Sequence, residues 1–381
     1  MATNPLQDIH RQAEAEFQPY GDVEIVSTFG EPPAEYAAVR KGCGMMDLPQ
    51  RGVLELTGKD RLTFLNNLLS NQTYSKETKT GLPAGKGVYA FLLNAKTGRM
   101  ITDLNVIERG DRTWLELDAR LIDTLRQTLD RYLFAEQVKM GNRSAEIHEI
   151  ALHGPRAAEV LKEVGVDGID ALRSLDSLAA NVFGVDVVIW RDDPAAVPGY
   201  HLVIPADAAR KVWMEFLTRF GPTDGETKRK LRPIGWAAFN AARIEGGRPI
   251  FGIDFDDSIL PHETGPLLER AVSFTKGCYP GQEIVARMHA RQQVARKIVG
   301  VRVEDGFLPV AGAKFYDEKG NEIGGVTSST ISPVLSNAAI AIGILKKPFF
   351  NVGTVVQVPA EGEMRKASVV EMPFVVKPAA P

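Results

Sequence analysis

The chain has 381 residues, of which 44% are hydrophobic and 24% are charged, and its formal net charge is -3. These values indicate an ordinary globular protein that divides into two or three domains. No apolar run reaches the roughly 18 residues that a membrane-spanning helix needs, so we expect no such helix.

Between about residues 45 and 145, the sequence predicts a lobe with one strand, a helix, three strands and a second helix. Apolar and polar residues alternate in the strands, whereas leucines follow helical spacing in the first helix. Asn94 and Gly98 mark the turn of a hairpin. The predicted elements are strands at 53–56, 88–93, 101–107 and 114–117 and helices at 62–69 and 121–134.

A similar order begins again at residue 146 and predicts a second lobe up to about residue 225. The two orders indicate paired ferredoxin-like halves, although the two sequences do not visibly repeat. The predicted elements are strands at 146–152, 185–190 and 201–204 and helices at 157–161 and 208–220.

The pattern changes near residue 298, where short strands alternate with turn signals and no long helical pattern appears. Residues 298–375 therefore predict a small β-barrel or sandwich. The predicted fold class is α+β, with two ferredoxin-like lobes and a C-terminal β-barrel.

Cysteine and histidine usage argues against a resident metal. Cys43 and Cys278 form no CxxC pair, and the six histidines show no HExxH or comparable spacing. Two cysteines are too few for one chain to hold a four-thiolate iron–sulfur cluster. The N-terminal region has no signal-peptide pattern, so we expect a cytoplasmic protein without structural disulfides.

One segment joins a cysteine, a predicted helix start and a cluster of positive charge. Residues 276–288 read Lys-Gly-Cys-Tyr-Pro-Gly-Gln-Glu-Ile-Val-Ala-Arg-Met. Pro280 suits the first position of a helix, so Cys278 precedes a helix N-terminus. The helix dipole, Lys276 and Arg287 then favour a nucleophilic thiolate. The alternative is a buried, inert cysteine, which is a common fate of a free thiol.

The basic charge of this segment leaves its partner open. Between residues 276 and 297, five basic residues accompany one acid, Glu283. Such a patch can bind carboxylates, phosphates or RNA, or it can be a solvated helix face. The RNA reading is the weakest, because the chain has no RNP-type aromatic motif and its pI is about 6.1.

Residues 276–283 resemble the signature of the YgfZ branch of the YgfZ/GcvT family. Its members are folate-binding relatives of the aminomethyltransferase (T-protein) of the glycine cleavage system. The resemblance covers nearly the whole chain. Further matching landmarks are Met-Asp-Leu at 46–48, Leu-His-Gly-Pro-Arg-Ala at 152–157, Ala-Arg-Ile-Glu-Gly-Gly at 242–247, Leu-Pro-His-Glu at 260–263 and Thr-Ser-Ser at 327–329.

The resemblance implies a three-lobed cloverleaf around a central tetrahydrofolate pocket. Residues 1–292 would form the folate-binding region, with lobes at about 45–145 and 146–225 and with 226–292 returning to the central site. Residues 298–375 would form the aminomethyltransferase-like barrel.

Three departures from the T-protein pattern fall in the expected site. Residues 196–201 match Gly-Glu-Asp-Gly-Tyr-Glu, whose first glutamate contacts the pterin, but Val197 replaces that glutamate. The acidic pair of the T-protein hairpin is Thr102 and Asp103 here, and Asp118 stands where T-proteins have asparagine. These changes argue against aminomethyl transfer but not against folate binding.

Candidate site residues follow from the signature and from the family pattern. We expect Cys278, Lys276 and Asp103 to be catalytic, with Asp103 bonding the pterin or managing a proton at a folate nitrogen. Alternatively, Asp103 satisfies amides at a strand end, Arg243 forms a salt bridge with Glu245 or another acid, and Tyr279 only packs. The residues expected to bind the cofactor are Arg243, Tyr279, Gln282, Glu283, Arg287, Asp118 and Tyr200.

The resemblance implies a protein that binds tetrahydrofolate, or a one-carbon derivative of it, and assists maturation or repair of iron–sulfur client proteins through Cys278. The alternative is a folate-dependent aminomethyltransferase or related one-carbon transferase that relies on Asp103 and does not need Cys278. Folate and iron–sulfur clients are therefore the expected partners, whereas neither a membrane nor nucleic acid is expected.

Overall fold

An N-terminal segment precedes the first lobe. The computed structural model describes residues 4–221, 230–291 and 293–375. The elements of this segment are α1 (Gln7–Gln12), β1 (Glu16–Tyr20), β2 (Val23–Thr28), α2 (Pro32–Lys41) and β3 (Gly44–Asp47). Strands β1 and β2 form an antiparallel hairpin. Strand β3 pairs with a strand of the second lobe, so this segment ties the chain start to a distant sheet.

The first lobe contains a five-stranded antiparallel sheet with helices on one face. Its elements are β4 (Arg51–Thr57), α3 (Arg61–Asn66), β5 (Tyr74–Ser75), β6 (Thr80–Gly81), β7 (Gly87–Leu93), β8 (Met100–Glu108), β9 (Arg112–Asp118), α4 (Ile122–Asp130) and β10 (Lys139–Asn142). The strand order is β10-β4-β9-β8-β7. Leucines of β4, β8 and β9 pack against Phe64 of α3 and Leu125 of α4.

Both helices of this lobe are shorter than predicted. The side chain of Asn66 accepts hydrogen bonds from the amides of Thr73 and Tyr74, so the chain turns where α3 ends. Leu68 and Leu69 keep buried positions in the turn that follows. Hydrophobic spacing therefore identified core residues correctly but extended the helix beyond its end.

The second lobe repeats this arrangement with a six-stranded sheet. Its elements are β11 (Ile147–His153), α5 (Ala157–Glu163), β12 (Ser177–Val182), β13 (Val185–Arg191), β14 (Gly199–Pro205), α6 (Ala209–Phe220) and β15 (Arg232–Pro233). The strand order is β12-β13-β14-β11-β3-β15. Residues 44–47 thus belong to this sheet, although the predicted first lobe begins at about residue 45. The predicted boundary at 225–226 lies outside the described residues.

The helix-free faces of the two sheets share one apolar cluster at the centre. Tyr89 and Phe91 of the first lobe lie in it with Trp190 and Val203 of the second lobe. The chain between the second lobe and the barrel also contributes to the cluster, through Ile244 among others. The helices of this connecting region are α7 (Trp236–Glu245), α8 (Leu268–Ala271) and α9 (Gln282–Arg291).

The C-terminal domain is a closed six-stranded barrel, as predicted. Its strands are β16 (Arg296–Val303), β17 (Lys314–Tyr316), β18 (Glu322–Ser332), β19 (Ala338–Lys346), β20 (Val355–Ala360) and β21 (Glu363–Val370). Short 3-10 helices occur at Ala119–Leu121, Ile169–Ala171, Ala206–Ala208, Pro261–Leu267, Glu304–Gly306 and Pro333–Leu335. None of the described helices is long and apolar enough to cross a membrane. The α+β fold class with a terminal barrel is confirmed.

Candidate functional site

A cavity lies where the two helix-free sheet faces meet α7 and the loop after it. Its wall combines aromatic rings with charged and amide side chains. The aromatic, charged and amide residues of the wall include Tyr20, Gln50, Arg51, Tyr89, Asp103, Asn105, Trp190, Asp192, His201, Trp236, Phe239 and Arg248. Flat aromatic surfaces interrupted by a few polar groups suit a planar, polar ligand.

Asp103 is the predicted catalytic residue that lies on this wall. It is inside β8, opposite Phe91 across the hairpin, and therefore not at a strand end. Its carboxylate accepts a 2.7 Å hydrogen bond from the Tyr89 hydroxyl. Burial raises the pKa of Asp103 despite the opposing charge of Arg51, and burial also raises the pKa of Tyr89 well above its usual value. The arrangement favours a carboxyl group that holds its proton more readily than a solvated one.

Arg51 is held by a buried acid next to Asp103. Its guanidinium donates to Glu116, which also accepts a 2.7 Å hydrogen bond from the side-chain amide of Asn105. Glu116 is fully buried. Glu116 therefore offsets part of the effect of Arg51 on the pKa of Asp103.

One corner of the cavity, where Arg270 lies 5.2 Å from the centre of the Tyr89 ring, carries an excess of positive charge. Asp192 accepts hydrogen bonds of 3.0 Å from Arg248 and 2.9 Å from Arg270. Although burial opposes it, these two cations hold the pKa of Asp192 far below its usual range. Arg270 also has two buried nitrogens, Nε and Nη2, without a partner among the described residues. Two guanidinium groups against one carboxylate make this corner suitable for an anionic group.

Four residues of the wall have buried polar atoms that lack a hydrogen-bond partner among the described residues. These atoms are Gln50 Oε1, Asn105 Oδ1, Trp190 Nε1 and His201 Nε2. Buried polar atoms without partners are rare in native proteins and are usually met by water or a ligand. The wall therefore offers both hydrogen-bond donors and acceptors to a heterocyclic ligand.

No residue of the signature segment is on the cavity wall, although Tyr279 packs in the central apolar cluster. Cys278 is exposed, so it is not the buried, inert thiol that was the alternative. Helix α9 begins at Gln282, and the prediction that Pro280 starts the helix is wrong. Gly281 has a φ of +82°, a left-handed conformation that separates Pro280 from the helix. The side chain of Gln282 accepts a 3.2 Å hydrogen bond from the Tyr279 amide and thereby holds this turn.

Lys276 is engaged at the end of α3. Its ammonium group donates to the carbonyl oxygens of Asn66 and Leu69 and lies 4.6 Å from the centre of the Tyr279 ring. Burial, with a further contribution from the charge of Lys76, lowers the pKa of Lys276 to about 7. Lys276 and Tyr279 therefore fix the signature segment to the first lobe.

Arg243 and Tyr200, which were expected to bind the cofactor, are packed elsewhere. Arg243 is fully buried, pairs with Asp254 and donates a 2.6 Å hydrogen bond to Ser328 of the barrel. Its acid partner is Asp254, whereas Glu245 pairs with Arg40. Tyr200 lies in the core of the second lobe. Neither residue lies on the wall of the central cavity. Tertiary packing places both side chains elsewhere, away from the position expected for cofactor binding.

The other expected binding residues also stand away from the wall. Asp118 accepts a 3.0 Å hydrogen bond from the hydroxyl of Tyr20, a wall residue, and so lies one contact behind it. Glu283 and Arg287 are exposed on α9. In the basic patch, Arg296 is 3.3 Å from Glu263, which partly neutralises it.

His201 and Trp190 are wall residues that sequence reasoning missed. On β14, Leu202 lies with Tyr200 in the second-lobe core. Side chains alternate along a strand, so His201 must point to the opposite face, toward the cavity. This alternation of side chains along the strand could be read from the sequence, and it would have favoured His201 over Tyr200 as a cavity residue.

The chain matches two family models that together span almost all of it. Residues 6–276 match the GCVT N-terminal domain, and residues 296–375 match the glycine cleavage T-protein C-terminal barrel domain. An aminomethyltransferase of Chloroherpeton thalassium is 27% identical, with 99% of each chain covered. One from Bacillus subtilis is 26% identical, with 97% of this chain and 98% of the relative covered.

A solved structure agrees with these matches. The crystal structure of glycine cleavage system aminomethyltransferase T from Bartonella henselae has a TM-score of 0.85 and 23% identity, with 98% of both chains covered. These relatives are named aminomethyltransferases, so the comparisons do not confirm the YgfZ branch. They favour the transferase alternative over the iron–sulfur reading. The chain belongs to the glycine cleavage T-protein (GCVT) family.

Proposed function

We propose that this protein is a folate-dependent one-carbon transferase of the aminomethyltransferase type, with its ligand in the central cavity and Asp103 as the acid–base residue. The observation that carries the proposal is the position of Asp103 on the cavity wall. Support also comes from relatives named aminomethyltransferase, which match over nearly the full length of both chains.

The residues of the wall fit tetrahydrofolate. A pterin is flat and carries both hydrogen-bond donors and acceptors, which suits the aromatic rings and the unpartnered atoms of Asn105 and Trp190. The glutamate tail of a folate is anionic, which suits the corner where Arg248 and Arg270 outnumber Asp192. Val197 packs beside an apolar cluster, so the pterin contact that T-proteins make from this position must come from other residues.

Tetrahydrofolate, when bound, supplies the nitrogen that accepts the one-carbon unit. Asp103 then exchanges a proton with a ligand nitrogen, and its raised pKa brings it closer to neutral pH for that task. The Tyr89 hydroxyl orients the carboxyl group through its 2.7 Å hydrogen bond. Arg51 keeps a positive charge near Asp103. Because Arg51 also pairs with Glu116, it neutralises the Asp103 carboxylate only in part.

A second candidate function rests on the exposure of Cys278. A surface thiol can reach a protein partner, whereas a thiol behind the cavity wall could not. We keep assistance to iron–sulfur client proteins as this second candidate. It predicts dependence on Cys278 and not on Asp103.

One pair of variants separates the two functions. Purified wild type, Asp103→Asn and Cys278→Ser are titrated calorimetrically with tetrahydrofolate and then assayed for transfer of a one-carbon unit from an aminomethyl donor. We expect Asp103→Asn to bind tetrahydrofolate but to lose about ten- to ten-thousand-fold in turnover. Cys278→Ser should match the wild type in both assays.

Two results would contradict the proposal. If the wild type does not bind tetrahydrofolate, the cavity assignment fails. If cells that carry Asp103→Asn keep the full activity of an iron–sulfur client enzyme while cells that carry Cys278→Ser lose it, the second candidate replaces the first.

A further inference from the structure

We propose that His201, oriented by Glu149, is a catalytic residue that exchanges a proton with the ligand in the central cavity. The inference rests on the proposed function and adds a second proton-transfer group to Asp103. His201 lies on β14, in the second lobe, whereas Asp103 lies on β8, in the first. The two groups therefore approach the cavity from different sheets.

The position of the His201 ring is determined by contacts on several sides. Its Nδ1 is 2.7 Å from Oε1 of Glu149, whose side chain is 2% exposed. The ring stacks on Trp190 with a centroid distance of 4.0 Å and an interplanar angle of 21°. His153 contacts it edge-on, with ring centroids 5.7 Å apart. These contacts leave little rotational freedom to the imidazole.

One ring nitrogen of His201 remains for a ligand. Nδ1 is occupied by Glu149, whereas Nε2 is buried and has no partner among the described residues. The side chain is on the cavity wall and 12% exposed. An imidazole held through one nitrogen by a carboxylate, with its other nitrogen unpartnered on a residue that lines a cavity, suits a histidine general base.

Another buried histidine of this chain provides a comparison. His148 is 2.6 Å from the carboxylate of Asp47, but it does not line the central cavity. A carboxylate partner therefore does not by itself distinguish His201. The distinguishing feature is an unpartnered nitrogen on a residue of the ligand cavity.

Several titratable and charged groups surround the pair of His201 and Glu149. Burial, with the nearby charge of Glu116, raises the pKa of Glu149. Burial lowers the pKa of His153 to about 3, so His153 stays neutral near pH 7. The titratable and charged groups near the pair are Glu149 and His153 of β11, Asp192 and Asp193 after β13, Glu116 of β9 and Arg51 of β4.

One-carbon transfer between two amines can use a second proton-transfer group besides Asp103. The acceptor nitrogen forms a bond to carbon and loses a proton, while the bond from carbon to the donor nitrogen breaks and that nitrogen gains a proton. Protons are therefore moved, not consumed. In the tautomer that the proposal requires, Nδ1 carries the hydrogen that faces Glu149, so Nε2 accepts the proton from the acceptor nitrogen and then returns it to the departing amine.

The test compares wild type, His201→Gln and Glu149→Gln, with His148→Gln as the matched control. Tetrahydrofolate affinity is measured by calorimetry, and kcat and KM are measured from pH 5 to 9. We expect His201→Gln to lower kcat about a hundred- to ten-thousand-fold, to change KM much less and to remove one limb of the pH profile. Glu149→Gln should lower kcat less and shift that limb. His148→Gln should keep the wild-type profile.

A second measurement does not depend on the folding of a variant. The imidazole nitrogens of wild-type protein are followed by nuclear magnetic resonance while tetrahydrofolate is added. The Nε2 resonance of His201 should shift on saturation, whereas the resonances of His148 should not.

The outcomes distinguish this inference from the function on which it rests. If the wild type turns over but His201→Gln keeps the wild-type kcat and pH profile, the inference is overturned and the proposed function stands. An Nε2 resonance that does not respond to saturating tetrahydrofolate overturns it in the same way. If the wild type neither binds tetrahydrofolate nor turns over, the proposed function and the inference both fail.

Discussion

Replacing Arg243 tests whether this residue holds the fold together or binds the ligand. Its guanidinium and the carboxylate of Asp254 are both 0% exposed. Arg243 also donates to Asn240 at 2.9 Å and to Ser328 at 2.6 Å, and thus joins α7 to the barrel. The change Arg243→Ala therefore leaves a buried carboxylate without its cation.

The magnitude follows from what Asp254 retains. Removing one member of a buried ion pair costs roughly 3–5 kcal/mol. Asp254 keeps hydrogen bonds of 2.9 Å from the Ile250 amide and 2.8 Å from the Thr327 hydroxyl. These donors still stabilise the carboxylate, so we expect the free energy of unfolding to fall by about 3 kcal/mol, the lower end of that range.

The assay is guanidinium denaturation followed by circular dichroism. Arg287→Ala, an exposed arginine on α9, serves as the control and should change the free energy of unfolding by less than about 0.5 kcal/mol. The double variant Arg243→Met/Asp254→Asn should lose less stability than Arg243→Ala, because it removes the buried charge together with its partner. An Arg243→Ala protein that unfolds like the wild type but no longer binds tetrahydrofolate would refute this reasoning and restore the ligand role that the resemblance implied.

Three further predictions concern titratable groups. Because burial raises the pKa of Asp103, ionising this carboxyl destabilises the fold as pH rises above the usual carboxyl pKa. In denaturation experiments, Asp103→Asn should therefore be more stable than wild type at pH 7 and equal to it near pH 3. Although burial opposes it, His148 holds the pKa of Asp47 well below its usual range. Asp47→Asn should therefore cost stability at pH 7, and the difference from wild type should shrink as pH falls below the usual carboxyl pKa; an unchanged difference at pH 2 would contradict this. A thiol reagent should titrate exposed Cys278 in the native protein and reach buried Cys43 only after unfolding, and two native thiols would contradict the burial of Cys43.

The order of the main strands and helices of the first lobe could be predicted from the sequence because it depends on local patterns. Alternation predicted β4, β7, β8 and β9 to within a few residues, and short strands with turn signals predicted a barrel or sandwich for the last domain, whereas the N-terminal elements and β12 were not predicted. The pairing of β3 with β11 could not be predicted in this way, because it joins segments separated by the whole first lobe. Sequence patterns report which side of a strand is apolar but not which distant strand lies beside it.

In the candidate site, too, some residues could be predicted from the sequence and others could not. Asp103 was identified from the sequence and lies on the cavity wall, but Arg243 and Tyr200 were expected there and are packed in other places. His201 reaches the wall because β14 turns one face to the second-lobe core and the other to the cavity. The sequence by itself determined which side chains share a face of each strand. Only the tertiary structure decided which faces enclose the cavity, because that depends on how two sheets, α7 and a loop far along the chain pack together.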